Sequence, residues 1–168
     1  TNSIDFISHL SYYHPNRHIV EKLSAARHAN GDTWWILTHG WDDRNFVKYL
    51  VNEEGYAVMD TQQIGTIHGT SFGNPYFSIG EMCFSPQGDK LLAVTVSGVV
   101  DVFDFDRCSG LLSNWIAIGS PAPAFPGPNT YYGCSFSPDG TKIYTSESYD
   151  YTGSRLYQWD MTAPNISA

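Results

Sequence analysis

Two runs in this chain are apolar on consecutive rather than alternate positions, Trp34-Trp35-Ile36-Leu37 and Leu91-Leu92-Ala93-Val94. A strand with one wet face alternates apolar and polar residues, whereas a strand covered on both faces has no reason to. Each run follows a turn signal, Asn30-Gly31 or Gln87-Gly88, and a third signal, Asp139-Gly140, leads into another apolar segment. Glycine at these points supplies the positive φ of a tight hairpin. The pattern predicts second strands over Trp34 to Thr38, Leu91 to Val96 and Ile143 to Ser146, each preceded by a short first strand. Third strands follow over Phe46 to Val51, Val99 to Phe105 and Leu156 to Trp159. Asn52, Asp106 and Asp160 come directly after them, and their short side chains can accept from backbone amides just ahead and so open a turn. A fourth, outer strand is expected around Tyr56 to Ile67 and again at Trp115 to Ile118. Val20 to His28 can be read as a short helix, but its alignment with the first strand of the later units favours strand.

These segments belong to an internal repeat. Phe84-Ser85-Pro86-Gln87-Gly88-Asp89-Lys90-Leu91 recurs 52 residues on as Phe136-Ser137-Pro138-Asp139-Gly140-Thr141-Lys142-Ile143, with five of the eight positions identical. A more divergent copy runs from Ala29 to Leu37. A repeat of this length carrying four short antiparallel strands is the size of a propeller blade, and a flat sandwich would not account for the repetition. The expected fold is all-β, a β-propeller of four-stranded antiparallel blades, with about three to three and a half blades in this chain. Residues 1–19 would hold a remnant strand of a preceding blade (Ile4 to Tyr13), and 20–69, 79–120 and 131–168 the three blades. A closed ring needs roughly four to eight. An incomplete ring is therefore expected, covered by the remaining blades of the same protein or by another subunit.

Composition narrows the function classes. At 168 residues, one domain is the default, and no apolar stretch approaches the roughly 18 residues of a spanning helix, so membrane insertion is not expected. A formal charge of -8 opposes the electrostatic attraction that drives generic nucleic-acid binding. The chain begins with Thr1 and shows no charged segment leading into an apolar one, from which a missing true N-terminus is expected. Its aromatic residues, eleven Tyr and five Trp among them, are mostly expected between blades. Cys83, Cys108 and Cys134 form no CxxC pair; their spacing fits an oxidised pair with a spare thiol as well as three reduced, buried cysteines.

The run Phe136 to Tyr144, followed by a strand ending Leu156-Tyr157-Gln158-Trp159-Asp160, resembles the blade motif of lactonase-type, YVTN-type and WD40-like propellers. A more specific likeness lies in Glu21-Lys22-Leu23, in Arg27 to Trp35, and in Phe103-Asp104-Phe105-Asp106-Arg107-Cys108-Ser109-Gly110-Leu111-Leu112-Ser113-Asn114. Together these resemble the propeller-like N-terminal regions of large secreted proteins of Bacteroidota that end in a type IX secretion sorting domain. Over about Glu21 to Asp160 the resemblance implies export to the cell surface or the medium, without an established active site. In the oxidising setting it implies, Cys108 with Cys134 is the preferred disulfide.

Motifs for catalysis are missing. The six histidines make no HExxH and no zinc-site cluster, and there is no GxSxG elbow, P-loop or GxGxxG. His14 and His18 lie in a Pro-containing segment unsuited to the helix that would bring them to one metal. The acidic pairs Asp42-Asp43 and Glu53-Glu54 read more simply as solvated loop carboxylates than as a Ca²⁺ site or an acid/base pair. No cofactor, catalytic residue or metal ligand is expected.

Loop geometry offers a site of another kind. In a propeller the hairpins joining second to third strands share a rim with the connections between blades. That rim would carry His39, Trp41, Asp42, Asp43 and Arg44, then Phe72, Asn74 and Tyr76, then Phe125, and finally Tyr149, Asp150 and Tyr151. Aromatic rings among carboxylates and amides suit recognition of a surface protein or polysaccharide. Equally, the rings can fold back and cap the blade ends. The expected function is a non-enzymatic extracellular or cell-surface module that binds protein or glycan, or a rigid spacer in a larger secreted protein. The alternative is a lactonase-like metal-dependent hydrolase, which would need ligands on the innermost strands, where Ala25, Arg27, Met82, Phe84 and Phe136 leave few carboxylates apart from Glu21 and Glu81.

Overall fold

A computed structural model describes residues 18–69, 75–119, 130–147 and 153–166; the expected strand at Ile4 to Tyr13 lies outside them. Among the described residues, eleven strands form three antiparallel sheets. The first holds β1 (Ile19–Arg27), β2 (Trp34–Gly40), β3 (Asp43–Asn52) and β4 (Gly55–His68) in sequential order. The second holds β5 (Met82–Phe84), β6 (Lys90–Val94), β7 (Val100–Asp106) and β8 (Leu111–Ala117), again in order. The third pairs β9 (Tyr131–Phe136) and β11 (Leu156–Asp160) on either side of β10 (Lys142–Glu147). The strand expected over Val20 to His28 is strand as far as Arg27. The sixth strand stops at Val94 rather than Val96, and the eighth starts four residues earlier than expected, at Leu111.

The repeated turn explains why the sheets look alike. In the second sheet Ser85 N–H donates to Lys90 O at 2.9 Å and Gly88 N–H to Ser85 O at 2.8 Å. In the third, Ser137 and Lys142 pair at 2.8 Å and Gly140 and Ser137 at 2.9 Å. The divergent first copy keeps the same two bonds, His28 N–H to Thr33 O at 2.9 Å and Gly31 N–H to His28 O at 3.0 Å. The three glycines have φ of 83°, 70° and 73°, which a side chain would strain. The serine hydroxyls also accept from the lysine amides, at 3.1 Å for Lys90 and 2.9 Å for Lys142. The Asn and Asp turn openers behave as their chemistry requires: Asn52, Asp106 and Asp160 accept from the amides of Glu54, Cys108 and Thr162 at 2.8–3.0 Å.

The consecutive apolar runs divide between two cores. Leu91 and Ala93 of β6 join Ala26, Trp35, Leu37, Phe46, Phe103 and Phe105 between the first and second sheets. Leu92 and Val94 turn the other way, toward Tyr131, Phe136, Ile143 and Trp159 of the third sheet. Each sheet is thus a wall of its neighbour's core, and the innermost strands β1, β5 and β9 stand side by side. Among the described residues the three sheets do not close into a ring.

Polar ties reinforce the first of these interfaces. Gln62 and Leu112 exchange bonds at 2.6 and 3.0 Å, the buried Lys48 ammonium donates to Gly110 O at 2.9 Å, and the Trp35 indole donates to Arg107 O at 2.9 Å. Gly110 is fixed by that packing. A Cβ there would fall 2.6 Å from the Trp35 ring, and its φ of 71° is unfavourable for any side chain. Gly110→Ala is therefore expected to cost about 2 kcal/mol or more, read as a lower urea midpoint. An unchanged midpoint would show that Trp35 can move without loss.

Candidate functional site

Of the expected rim residues, the structure describes the side chains of His39, Trp41, Asp42, Asp43 and Arg44. His39 is the penultimate residue of β2 rather than a loop residue, and it is fully buried. The strand runs on to Gly40 because the connection to β3 is only Trp41-Asp42, with Asp42 at φ 57°. Asp42 N–H donates to His68 O at 2.9 Å, and the Asp43 carboxylate accepts from the amide and side chain of Asn45 at 2.8 and 2.6 Å. The Asp43 carboxylate thus caps the start of β3. Trp41 packs its ring 5.9 Å from that of His18, and Arg44 is exposed. Tyr76 falls in the short 3₁₀ turn Pro75–Ser78, though its side chain lies outside the description. Phe72, Asn74, Phe125, Tyr149, Asp150 and Tyr151 lie outside the described residues, as does His14.

The cysteine pairing differs from the expectation. Cys108 sits exposed in the turn after β7, while Cys134 Sγ on β9 lies 3.6 Å from Cys83 Sγ on β5; all three thiols are free. The Cys108–Cys134 bond is not formed: Cys108 is in the turn between β7 and β8 of the second sheet, and Cys134 is on β9 of the third.

Below the rim, His39 and His68 stack with ring centroids 3.9 Å apart and planes 17° apart, both fully buried. His39 Nδ1 lies 2.6 Å from Gly40 O, whereas His39 Nε2 and both nitrogens of His68 lack a hydrogen-bond partner among the described residues. The Asp101 carboxylate lies 4.0 Å from His68 Nε2 and is held by the Thr66 amide and hydroxyl at 2.7 and 3.0 Å. Burial holds the His39 imidazole down at about 3 and His68 well below the usual histidine range. Both rings are neutral at physiological pH.

A second polar cluster lies on the innermost strands. A pocket of about 370 Å³ is lined by Glu21, Lys22 and Leu23 of β1, by Gly80, Glu81 and Met82 at the start of β5, and by Tyr132 of β9. Each wall comes from a different sheet, so the pocket exists only because the blades stack. Glu21 Oε1 accepts from Gly80 N–H at 3.2 Å and Glu81 N–H donates to Tyr132 O at 2.8 Å, which ties the walls together. The Lys22 amine is buried and donates to Ser78 O; burial lowers it to about 8, with Glu21 opposing the shift. Both glutamates and Tyr132 remain exposed. The pocket therefore offers two carboxylates, an aromatic ring and a cation set behind them. Sequence reasoning picked out Glu21 and Glu81 on the inner strands but missed Lys22 and Tyr132, which nothing in their local pattern distinguishes from ordinary strand residues.

With this geometry in view, the comparison with solved structures decides the architecture. The Cps50 (Swd1) β-propeller domain of Myceliophteria thermophila superposes with a TM-score of 0.52 over 90% of this chain, at 13% identity. The chain has the β-propeller fold. It spans 40% of that domain, so the propeller matched is more than twice its length. Two other similar structures are the hydrazine synthase of Kuenenia stuttgartiensis (TM-score 0.48, 14% identity, 87% of this chain and 35% of that one) and a 6-phosphogluconolactonase-like protein of Bacteroides fragilis (0.49, 13%, 85% and 36%). No family model and no curated protein matches the chain. In propeller terms β1, β5 and β9 are the channel-side strands, and the pocket opens where successive blades meet.

Proposed function

We propose that this chain is a non-enzymatic propeller segment that binds a protein or polysaccharide at the cell surface or outside the cell, within a larger secreted protein. The observation that carries the binding reading is the inner-strand pocket, where Glu21, Glu81 and Tyr132 from three blades remain exposed beside the buried Lys22. Carboxylates beside an aromatic ring suit sugar hydroxyls or a basic side chain, since the ring covers apolar area while the oxygens orient the donors. The surface location, and the finer assignment to type IX secretion in Bacteroidota, rest on the sequence resemblance alone. Titration of the isotope-labelled chain with neutral oligosaccharides, an aminated oligosaccharide and an arginine-rich peptide, followed by NMR, tests the site. Saturable shifts at Gly80, Glu81 and Tyr132 are expected for at least one probe, weakened about tenfold in Glu21→Gln/Glu81→Gln. Shifts that are absent for all probes, or equal in the double variant, would remove the pocket from consideration.

One observation favours a second reading. Glu21 and Glu81 line the same pocket, and a lactonase-like metal-dependent hydrolase would need carboxylates on its innermost strands, though the described residues bring no third His, Cys, Asp or Glu into a metal-binding group with them. Hydrolysis of a small lactone that depends on an added divalent cation and disappears in Glu21→Gln would establish that activity in place of simple binding.

A further inference from the structure

Cys83 and Cys134 belong to neighbouring blades. Cys83 is the middle residue of β5, opposite Leu92, and Cys134 lies on β9, opposite Thr145. The two strands are adjacent, and their side chains meet with the sulfurs 3.6 Å apart at the edge of the core between the second and third sheets. Both side chains are only partly buried, which leaves a small oxidant a route to them. No other thiol competes nearby, since Cys108 is exposed in a turn outside this core. An S–S bond is about 2 Å long, so rotation of the two side chains toward each other closes the gap without a new strand pairing.

We propose that Cys83 and Cys134 form a reversible disulfide that staples the second blade to the third along their innermost strands. The oxidant is a small disulfide of the glutathione class. One cysteine, as thiolate, attacks it and forms a mixed disulfide with loss of one glutathione thiol. The second cysteine then displaces the other glutathione. Two protons leave the cysteines, two electrons pass to the glutathione disulfide, and one S–S bond forms as the other breaks. The neighbouring Cys83 and burial push the Cys134 thiol far above its ordinary range, so the reaction is slow at neutral pH and speeds up as pH rises. Closure also stiffens one wall of the pocket, because the Cys134 amide bonds to Glu81 Oε2 at 3.4 Å and Tyr132 is two residues away. The staple does not depend on what the pocket binds.

The test uses the full chain with Cys108→Ser, treated under native conditions with glutathione disulfide at mildly alkaline pH. Intact mass should fall by two hydrogens with no glutathione retained, and a proteolytic digest should yield a peptide joining Cys83 to Cys134. The urea midpoint should rise on oxidation and return on reduction, and in a further Cys83→Ser variant it should not respond to the oxidant. Glutathione retained separately on both cysteines would overturn the proposal. So would thiols that stay free in the native chain under conditions that oxidise the urea-unfolded chain. The digest decides the matter even if the Cys83→Ser variant fails to fold.

Discussion

Acidification from pH 7 to pH 4 is expected to remove much of the stability of this fold, through the stacked histidines His39 and His68. Both are neutral in the folded chain because burial penalises the charged ring more than the Gly40 carbonyl favours it at His39, and the His39 imidazole is held at about 3. In the unfolded chain each takes up a proton near pH 6.5. Below that point the unfolded state binds more protons than the folded one, so stability falls as pH falls, from about 6.5 down toward 3. His39 alone accounts for roughly 3 kcal/mol by pH 4, and His68 acts in the same direction. Asp101, whose carboxyl is raised by burial, opposes part of this, since its folded form protonates first as pH drops. Against a typical total of about 5–15 kcal/mol, the histidine effect is large. Urea midpoints measured from pH 7 to pH 4 for the natural chain and for His39→Gln/His68→Gln would check it. The variant should show the flatter profile; parallel profiles would mean that the two rings gain a proton without unfolding.

Phe103→Ala should cost about 3–5 kcal/mol, among the largest single losses available to this chain. The ring is fully buried on β7, meets Phe46 of the first sheet edge-on with centroids 5.1 Å apart, and lies against Gly65 of β4 so closely that a Cβ there would stand 2.7 Å from it. Both contacts are with strands of the first sheet, so the ring ties the second blade to the first. Removing it leaves a cavity between two sheets that are pinned at Gln62–Leu112 and Lys48–Gly110, so the walls have little freedom to collapse inward. Urea denaturation followed by tryptophan fluorescence should show the loss, with Phe103→Leu falling between the alanine variant and the natural chain. A loss below about 1 kcal/mol would mean that the sheets close over the gap.

The blade pattern was legible in the sequence because it is local. A Ser-Pro-x-Gly turn, an apolar run and an Asn or Asp at the end of the third strand lie within one unit, and each reappears in the structure with its hydrogen bonds. Even the divergent turn at His28 to Thr33 could be found by alignment. What stayed hidden depends on how blades stack. His39 looked like a loop residue because the sequence does not announce that the turn after Gly40 is only two residues long. Cys134 meets Cys83 rather than Cys108 because adjacent inner strands bring equivalent heights together, and spacing along the chain carries no such information. Tyr132 and Lys22 reach the pocket for the same reason. Six of the twelve rim residues lie outside the described segments, and Tyr76 is placed there only by its backbone, so the rim cluster rests on sequence alone.

The central strand of the second blade carries one more consequence. Most sheets guard their alignment with a greasy side and a wet side, so that sliding a strand by one residue exposes the wrong set. In β6, Leu91 and Ala93 serve one core and Leu92 and Val94 the other, and a one-residue slip would still bury four apolar side chains. Greasiness cannot tell the correct alignment from the shifted one. That choice falls to the hydroxyl of Ser85, which grips the amides of Asp89 and Lys90 at 3.2 and 3.1 Å just before the strand begins. The polar turn acts as the ruler for the apolar strand.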